Sequence, residues 1–308
     1  MPNYNGVWSL STQYQNRTDW PSPPDIGLFQ RGTTIEFINV ATTGDSTDFG
    51  DRTVNGHHAS AVASSTRAVF GGGESTTNVM DFVSIRSTGN ATDFGDLTVA
   101  RYDQGGCGSN VRGVFGSGSP TENTTDVLMD YITIASTGNA TDFGDPSVAR
   151  GAVNTAASST TRGVFAGGFT YGNSGRSDVI DYITIANTGN ATDFGNLSVA
   201  RMSSTGCSNS TRALFAGGKN ASNAQQDVID YITIASTGNA ADFGNLVAAN
   251  SQAGALANAT RGVFGGGNST NVMQFVTIST TGNTSDFGDL GFITAGVSGC
   301  SNAHGGLA

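Results

Sequence analysis

Few residues in this 308-residue chain could carry covalent chemistry. The histidines number three: His57 and His58, adjacent, and His304 near the C-terminus. No Gly-x-Ser-x-Gly elbow, zinc-ligand spacing or phosphate loop accompanies them. Cys107, Cys207 and Cys300 share one slot, which other segments fill with Val62, Ala157 and Leu256. Interchange with apolar residues reads as core packing, not reactivity. Asp-Phe-Gly, a metal-binding element in protein kinases, recurs six times without the glycine-rich loop, lysine or catalytic loop that kinase chemistry requires. Acidic turns such as Asn90-Ala-Thr-Asp-Phe-Gly-Asp96 lack the alternating ligand ladder of a calcium loop. No cofactor or metal is therefore expected. Carboxylates are numerous, and a glycosidase pair assembled from separate segments remains an alternative.

Binding chemistry is better supplied. Phe169-Thr-Tyr-Gly-Asn-Ser-Gly-Arg176 and Lys219-Asn-Ala-Ser-Asn-Ala-Gln225 set aromatics beside amides and cations. Those groups suit a sugar, whose ring stacks on aromatics while its hydroxyls hydrogen-bond. Phe169, Tyr171, Arg176, Lys219, Gln225, Tyr102 and His57 are the candidate ligand-binding residues, with simple drift of a repeated loop as the alternative reading.

The elements that position them follow from composition and repetition. Glycine supplies 44 residues, while charged residues make up only 12%. That much glycine excludes a helical bundle, and six prolines with no Gly-X-Y period exclude collagen. The net charge of −10 and the single lysine, Lys219, argue against a nucleic-acid surface. No apolar run approaches a membrane span. The opening Met1-Pro-Asn-Tyr-Asn-Gly carries no signal-peptide pattern, so synthesis in a cytoplasm is expected.

The Phe of Asp-Phe-Gly recurs at 49, 94, 143, 194, 243 and 287. A second block places Phe at 70, 115, 165, 215 and 264, with Phe29 as its divergent first copy. Within one unit, four short strands alternate with glycine-rich turns, and the Gly-Asn pair of Thr-Gly-Asn reads as a tight hairpin between strands three and four. Four strands per 44 to 51 residues predict an all-β fold, a β-propeller of four-stranded blades. Only nine residues separate Trp20 from Phe29, so the first unit lacks its own strand one. Six blades follow, with Thr294–Asn302 completing the blade begun by residues 26–50 and closing the ring. Seven blades are the alternative. The repeated Asp, including Asp93, Asp142 and Asp193 beside Phe94, Phe143 and Phe194, is expected to pair with the repeated Arg112, Arg162 or Arg212 within each blade.

The units resemble kelch-type propeller repeats: an aliphatic strand closing on Gly-Gly (Gly167-Gly168, Gly217-Gly218, Gly266-Gly267), then Tyr131, Tyr182 or Tyr231, then an aromatic, then Arg101, Arg150 or Arg201. Here the second aromatic is Phe, twelve residues after the Tyr, which departs from that pattern. The wording Asp-Tyr-Ile-Thr-Ile-Ala-Ser-Thr-Gly-Asn-Ala-Thr-Asp-Phe-Gly is similar to repeats in structural proteins of marine bacteriophages. The opening Gly6-Val-Trp-Ser-Leu-Ser-Thr-Gln-Tyr resembles a segment of phage virion and tail proteins.

Three segments are expected: an anchoring arm at 1–25, the propeller at 26–302 and a tail at 303–308. The arm holds Trp8, Tyr14 and Trp20, aromatics suited to docking on other virion proteins, with a strap packed on its own propeller as the alternative. The phage resemblance implies a non-enzymatic virion structural protein, a tail or host-facing component whose variable loops meet a host-surface glycan. A capsid-decorating subunit and a polysaccharide-degrading enzyme are the alternatives. Neither nucleic-acid partners nor a membrane span are expected.

Overall fold

The computed structural model describes residues 24–74, 77–120, 128–153, 156–171 and 175–307. The expected anchors Trp8, Tyr14 and Trp20 lie outside them. Six four-stranded antiparallel sheets form a ring. Blade 1 is composite: Ser298–Ser301 is its inner strand, followed outward by Ile26–Arg31, Thr34–Asn39 and Thr47–Asp51. Blades 2 to 6 start from inner strands Ser60–Ala63, Gly105–Gly108, Ala156–Ser158, Thr205–Ser208 and Gly254–Ala257. Closure by the C-terminal strand, in six blades, is as the repeat count required.

The apolar core is divided into six clusters, one at each blade interface. Leu28 and Phe49 of blade 1 meet Phe70 and Val83 of blade 2, and the same slots recur around the ring. Strand two is buried on both faces, because each blade is covered by two neighbours.

The local chemistry of Asp-Phe-Gly explains its repetition. In blade 4, Asp181 pairs with Asp193 and Ile180 with Gly195, leaving Phe194 as the extra residue of a β-bulge. The bulge turns Phe194 into the core, edge-on to Tyr182 at 5.9 Å between ring centroids. The Arg162 guanidinium lies over that Tyr ring, 4.5 Å from its centroid, a cation–π contact. The same Arg–aromatic–Phe stack appears at Arg112–Tyr131–Phe143 and Arg212–Tyr231–Phe243.

Two expectations are overturned. The aspartates Asp93, Asp142 and Asp193 are exposed and do not pair with the strand-two arginines. Arg112, Arg162 and Arg212 instead donate from Nη1 to the carbonyls of Ile185, Ile234 and Ile278 in the following blade, at 2.9 to 3.0 Å. The buried Asp–Arg pairs use other copies of both residue types. Asp130, Asp181 and Asp230 of strand three meet Arg101, Arg150 and Arg201 of the connector entering the same blade, at 2.6 to 3.0 Å. Asp81 meets Arg52, which arrives from four positions upstream, and Gly56 leaves the space its guanidinium needs.

Thr-Gly-Asn also does not form a tight hairpin. Seven residues, 185–191, separate strands three and four of blade 4. The segment lies instead along the outer strand of the preceding blade. Gly189 N–H donates to the Phe143 carbonyl, Ala191 N–H to the Asp145 carbonyl, and the Asn190 side chain accepts from Asp145 N–H. A Cβ on Gly144, whose φ is +134°, would come within 2.6 Å of the Gly189 carbonyl. This interlock recurs at all six junctions, closing with Gly44 against Phe287.

Urea unfolding should therefore rank three substitutions. Arg150→Ala strands a buried carboxylate and should cost about 3–5 kcal/mol. Gly144→Ala should cost about 1–3 kcal/mol through backbone strain and the collision. Asp193→Ala, at an exposed position, should change stability by less than about 0.5 kcal/mol. A loss from Asp193→Ala equal to that from Arg150→Ala would restore the discarded pairing.

Candidate functional site

The connectors that enter each blade and the loops between strands two and three share one face of the ring. Short antiparallel bridges join them: Tyr102 with Ser119, Gly151 with Phe169, and Met202 with Lys219. Diverse sequence is thus collected on this face.

Around the axis, the face is drawn together by a cycle of backbone hydrogen bonds. His58, Asp103, Ala152, Ser203, Gln252 and Gly296 occupy one repeat slot, and all have φ between +51° and +76°. Non-glycine residues are uncommon in this region and cost free energy unless their surroundings hold them there. Here the holding is mutual. His58 donates to Gly296, Asp103 to His58, Val153 to Asp103, Ser203 to Ala152, Gln252 to Ser203, and Gly296 to Gln252.

One side-chain pair reinforces that rim. His58 Nδ1 stands 2.8 Å from Asp103 Oδ1, and its Nε2 is 3.6 Å from Glu74. Burial opposes the imidazolium, but the hydrogen bond to Asp103 and the charges of Asp103 and Glu74 outweigh it, leaving the His58 pKa raised. His57, the residue selected from the sequence, has its pKa lowered by burial and by Arg31. The rim histidine that engages carboxylates is therefore His58. Its signal was available in the repeat spacing, since 58, 103, 152, 203, 252 and 296 follow the same intervals as the Asp-Phe-Gly series.

Beneath the rim, the channel is narrow and lined by small residues of the inner strands. It holds two cavities of about 50 and 30 Å³, room for one or two waters. At the far mouth the tail crosses the ring. His304 Nε2 lies 2.9 Å from the Ala63 carbonyl, and Gly305 and Gly306 pack against backbone carbonyls of Ser158, Asn209 and Gly108. Burial lowers the His304 pKa. Cys107, Cys207 and Cys300 are free and buried. Cys107 packs against the Gly163 backbone and Cys207 against that of Gly262. Burial pushes the thiols of Cys207 and Cys300 up to about 12, so they are poor nucleophiles.

The aromatic candidates do converge. Phe169 and Thr170 pair with Gly175 and Arg176 in a two-stranded ribbon above blade 4. Phe169 and Tyr171 meet edge-on at 4.6 Å, and the Arg176 guanidinium lies 4.7 Å from the Phe169 ring. Arg176 also donates to Asn223 Oδ1, which ties the ribbon to the blade 5 loop. Asn220 organises that loop by accepting from Ser222 and Ala224, and Lys219 bridges to Gln225. Phe169, Tyr171, Arg176, Lys219 and Gln225 thus form one half-exposed group across blades 4 and 5. Tyr102 adjoins it through Ser119, which packs at Gly151 beside Tyr171. His57 lies on the same face but on the blade 1–2 connector. Asn223 was missed, because only the folded loop shows that this asparagine meets Arg176. Among the described residues, no three His, Cys, Asp or Glu side chains converge on a metal-ligating point, and no helix is long and apolar enough to cross a membrane.

No protein-family model matches the chain, and no curated protein matches it.

The three histidines should separate in an NMR titration. His58 should titrate above 6.5, its ordinary value, and His57 and His304 below it. The raised pKa means that the His58 contribution to stability is complete below pH 6.5 and is lost as pH rises through its folded value. His304 acts oppositely: its burial as a neutral ring costs stability as pH falls from 6.5 toward its lowered folded value. His58→Gln should remove the first effect and leave the second. A His58 midpoint at or below 6.5 would contradict the rim geometry.

Proposed function

We propose that this protein is a non-enzymatic structural component of a virion, placed in a tail or host-facing appendage, whose loop face recognises a host-surface glycan. The observation that carries the binding half of this reading is the pre-ordered group Phe169–Tyr171–Arg176–Asn223. Its rings and guanidinium are held by one another before any ligand arrives, which lowers the entropy cost of recognition. Half-exposed aromatics beside amide and guanidinium donors suit a sugar's apolar ring face and its hydroxyls.

The virion half rests on the resemblance of the repeat wording to phage structural proteins and on the aromatic arm, with Trp8, Tyr14 and Trp20, as a docking segment for other virion proteins. A non-catalytic role is favoured by the commitments of the reactive groups. His58 is engaged with carboxylates, His304 with a carbonyl, and the thiols with the core. Capsid decoration without a receptor is the second reading, favoured by the rigidity that the six interlocks confer on the ring.

A glycan array probed with the purified protein should show binding to host-envelope carbohydrate, and Tyr171→Ala or Arg176→Ala should weaken it tenfold or more. Immunogold labelling should place the protein at the tail. Shell labelling with no glycan binding would favour decoration. Release of reducing sugar from a bound glycan would contradict the non-enzymatic reading.

A further inference from the structure

The inter-blade slot that holds an Arg–Asp pair at four junctions is altered at the junction of blades 5 and 6. In the neighbouring unit, Ser198 donates its hydroxyl to Asp230 at 2.6 Å, and Arg201 meets the same carboxylate. Forty-nine and forty-four residues later, the three slots hold Val247, Asn250 and Gln274. All three members of a buried polar set change together. Asn250 is too short to span the space and folds back, donating to the Gly266 carbonyl and accepting from Ser251 and Asn268 N–H. Gln274 takes the acceptor role of the aspartate, receiving Val247 N–H and the Thr284 hydroxyl on Oε1.

Beside this altered set, the blade surface is open. A cavity of about 310 Å³ is bounded by Val247, Ala248, Ala249, Val272, Gln274 and Asp286. A smaller void of about 10 Å³ lies behind Gln274 and Asn250. The larger volume falls in the range of small-ligand sites. Its apolar side is unusual for this surface: Val247 is 71% exposed on a strand, Ala241–Asn250, that runs on as extended backbone where the other blades turn.

The polar groups specify the ligand. Gln274 is 6% exposed, and its Nε2 donates to no acceptor among the described residues. That N–H is open to the cavity and favours a ligand that accepts, which an ammonium or guanidinium cannot do. Asp286 is its cross-strand partner and offers an acceptor beside that donor. A protein of net charge −10 disfavours an anion there. A neutral group that accepts from Gln274 and donates to Asp286 is a hydroxyl pair, and the aliphatic walls suit the C–H face of a ring that carries it. We propose that this cavity binds a single neutral sugar unit, with adjacent hydroxyls on Gln274 and Asp286 and an apolar face on Val247, Ala248 and Val272. The site is separate from the Tyr171 group and does not depend on the function assigned to that group.

The repeat itself supplies the test. V247S/N250R/Q274D rebuilds the Ser–Asp–Arg set that other junctions fold around; it removes the Val247 wall and the Gln274 amide donor and should keep the thermal midpoint. Gln274→Glu preserves the acceptor for Val247 and Thr284 but removes the donor, so it probes the site even if the triple variant folds poorly. Saturation-transfer NMR with glucose, galactose, mannose and N-acetylglucosamine is the readout. Transfer to at least one sugar is expected with the wild-type protein and with Tyr171→Ala. It should be lost in the triple variant and at least tenfold weaker in Gln274→Glu. Transfer to none of the four sugars would overturn the proposal. So would transfer that persists in the folded triple variant, or transfer that Tyr171→Ala alone abolishes.

Discussion

The contact on which the rest of this protein depends is the close approach of two glycines from neighbouring blades. Gly144 and Gly189 illustrate it: one backbone lies where the other's Cβ would be. That approach lets Gly189 and Ala191 hydrogen-bond to the outer strand of blade 3 while Asn190 closes the pairing with its side chain. An outer strand would otherwise expose a row of unpaired donors and acceptors, a liability for edge-to-edge association. Here each blade covers its predecessor's edge. The sixth junction uses Asp45 in place of Asn, accepting from Asp289 N–H, so the ring closes by the same chemistry that builds it.

This constraint divides the surface into two functional kinds. The interlock fixes Thr-Gly-Asn, or Thr-Gly-Asp45 in the first unit, and Asp-Phe-Gly, because each segment serves a neighbour as well as its own blade. The buried Arg–Asp pairs fix the connectors from within. What remains free to vary is the loop face, and the variation there is uneven. Blades 4 and 5 carry the Phe169–Arg176 ribbon and the Asn220-organised loop. The junction of blades 5 and 6 lacks the ion pair and carries a cavity. A rigid ring with locally divergent units is a means of presenting separate recognition elements at fixed geometry.

Much of this was legible in the sequence, and the failures share a cause. Blade number and ring closure follow from repeat spacing, which is local arithmetic. The slot shared by Cys107, Ala157 and Leu256 identified a core position because apolar residues interchange there. Misreadings arose where a residue's partner lies in another blade. Asp193 and Arg162 recur together, but a constant interval cannot tell a pair within one unit from two contacts to different neighbours. Asp181, at the strand-three bulge, was the carboxylate that met an arginine. Gly189 read as a hairpin glycine because its real requirement, the backbone of blade 3, lies 45 residues away. His57 and His58 could be separated only by the repeat slot that places His58 on the rim.

Native-state hydrogen exchange tests the interlock most directly. The amides of Gly44, Gly89, Gly138, Gly189, Gly238 and Gly282 sit in segments that sequence alone would class as turns. If they bind the blades into one cooperative ring, they should exchange only through global unfolding, with the same protection as the strand-two amides of Val164 and Leu214. Exchange at the rate of exposed loops, with strand two still protected, would show that the blades are held together without the interlock and would contradict the account.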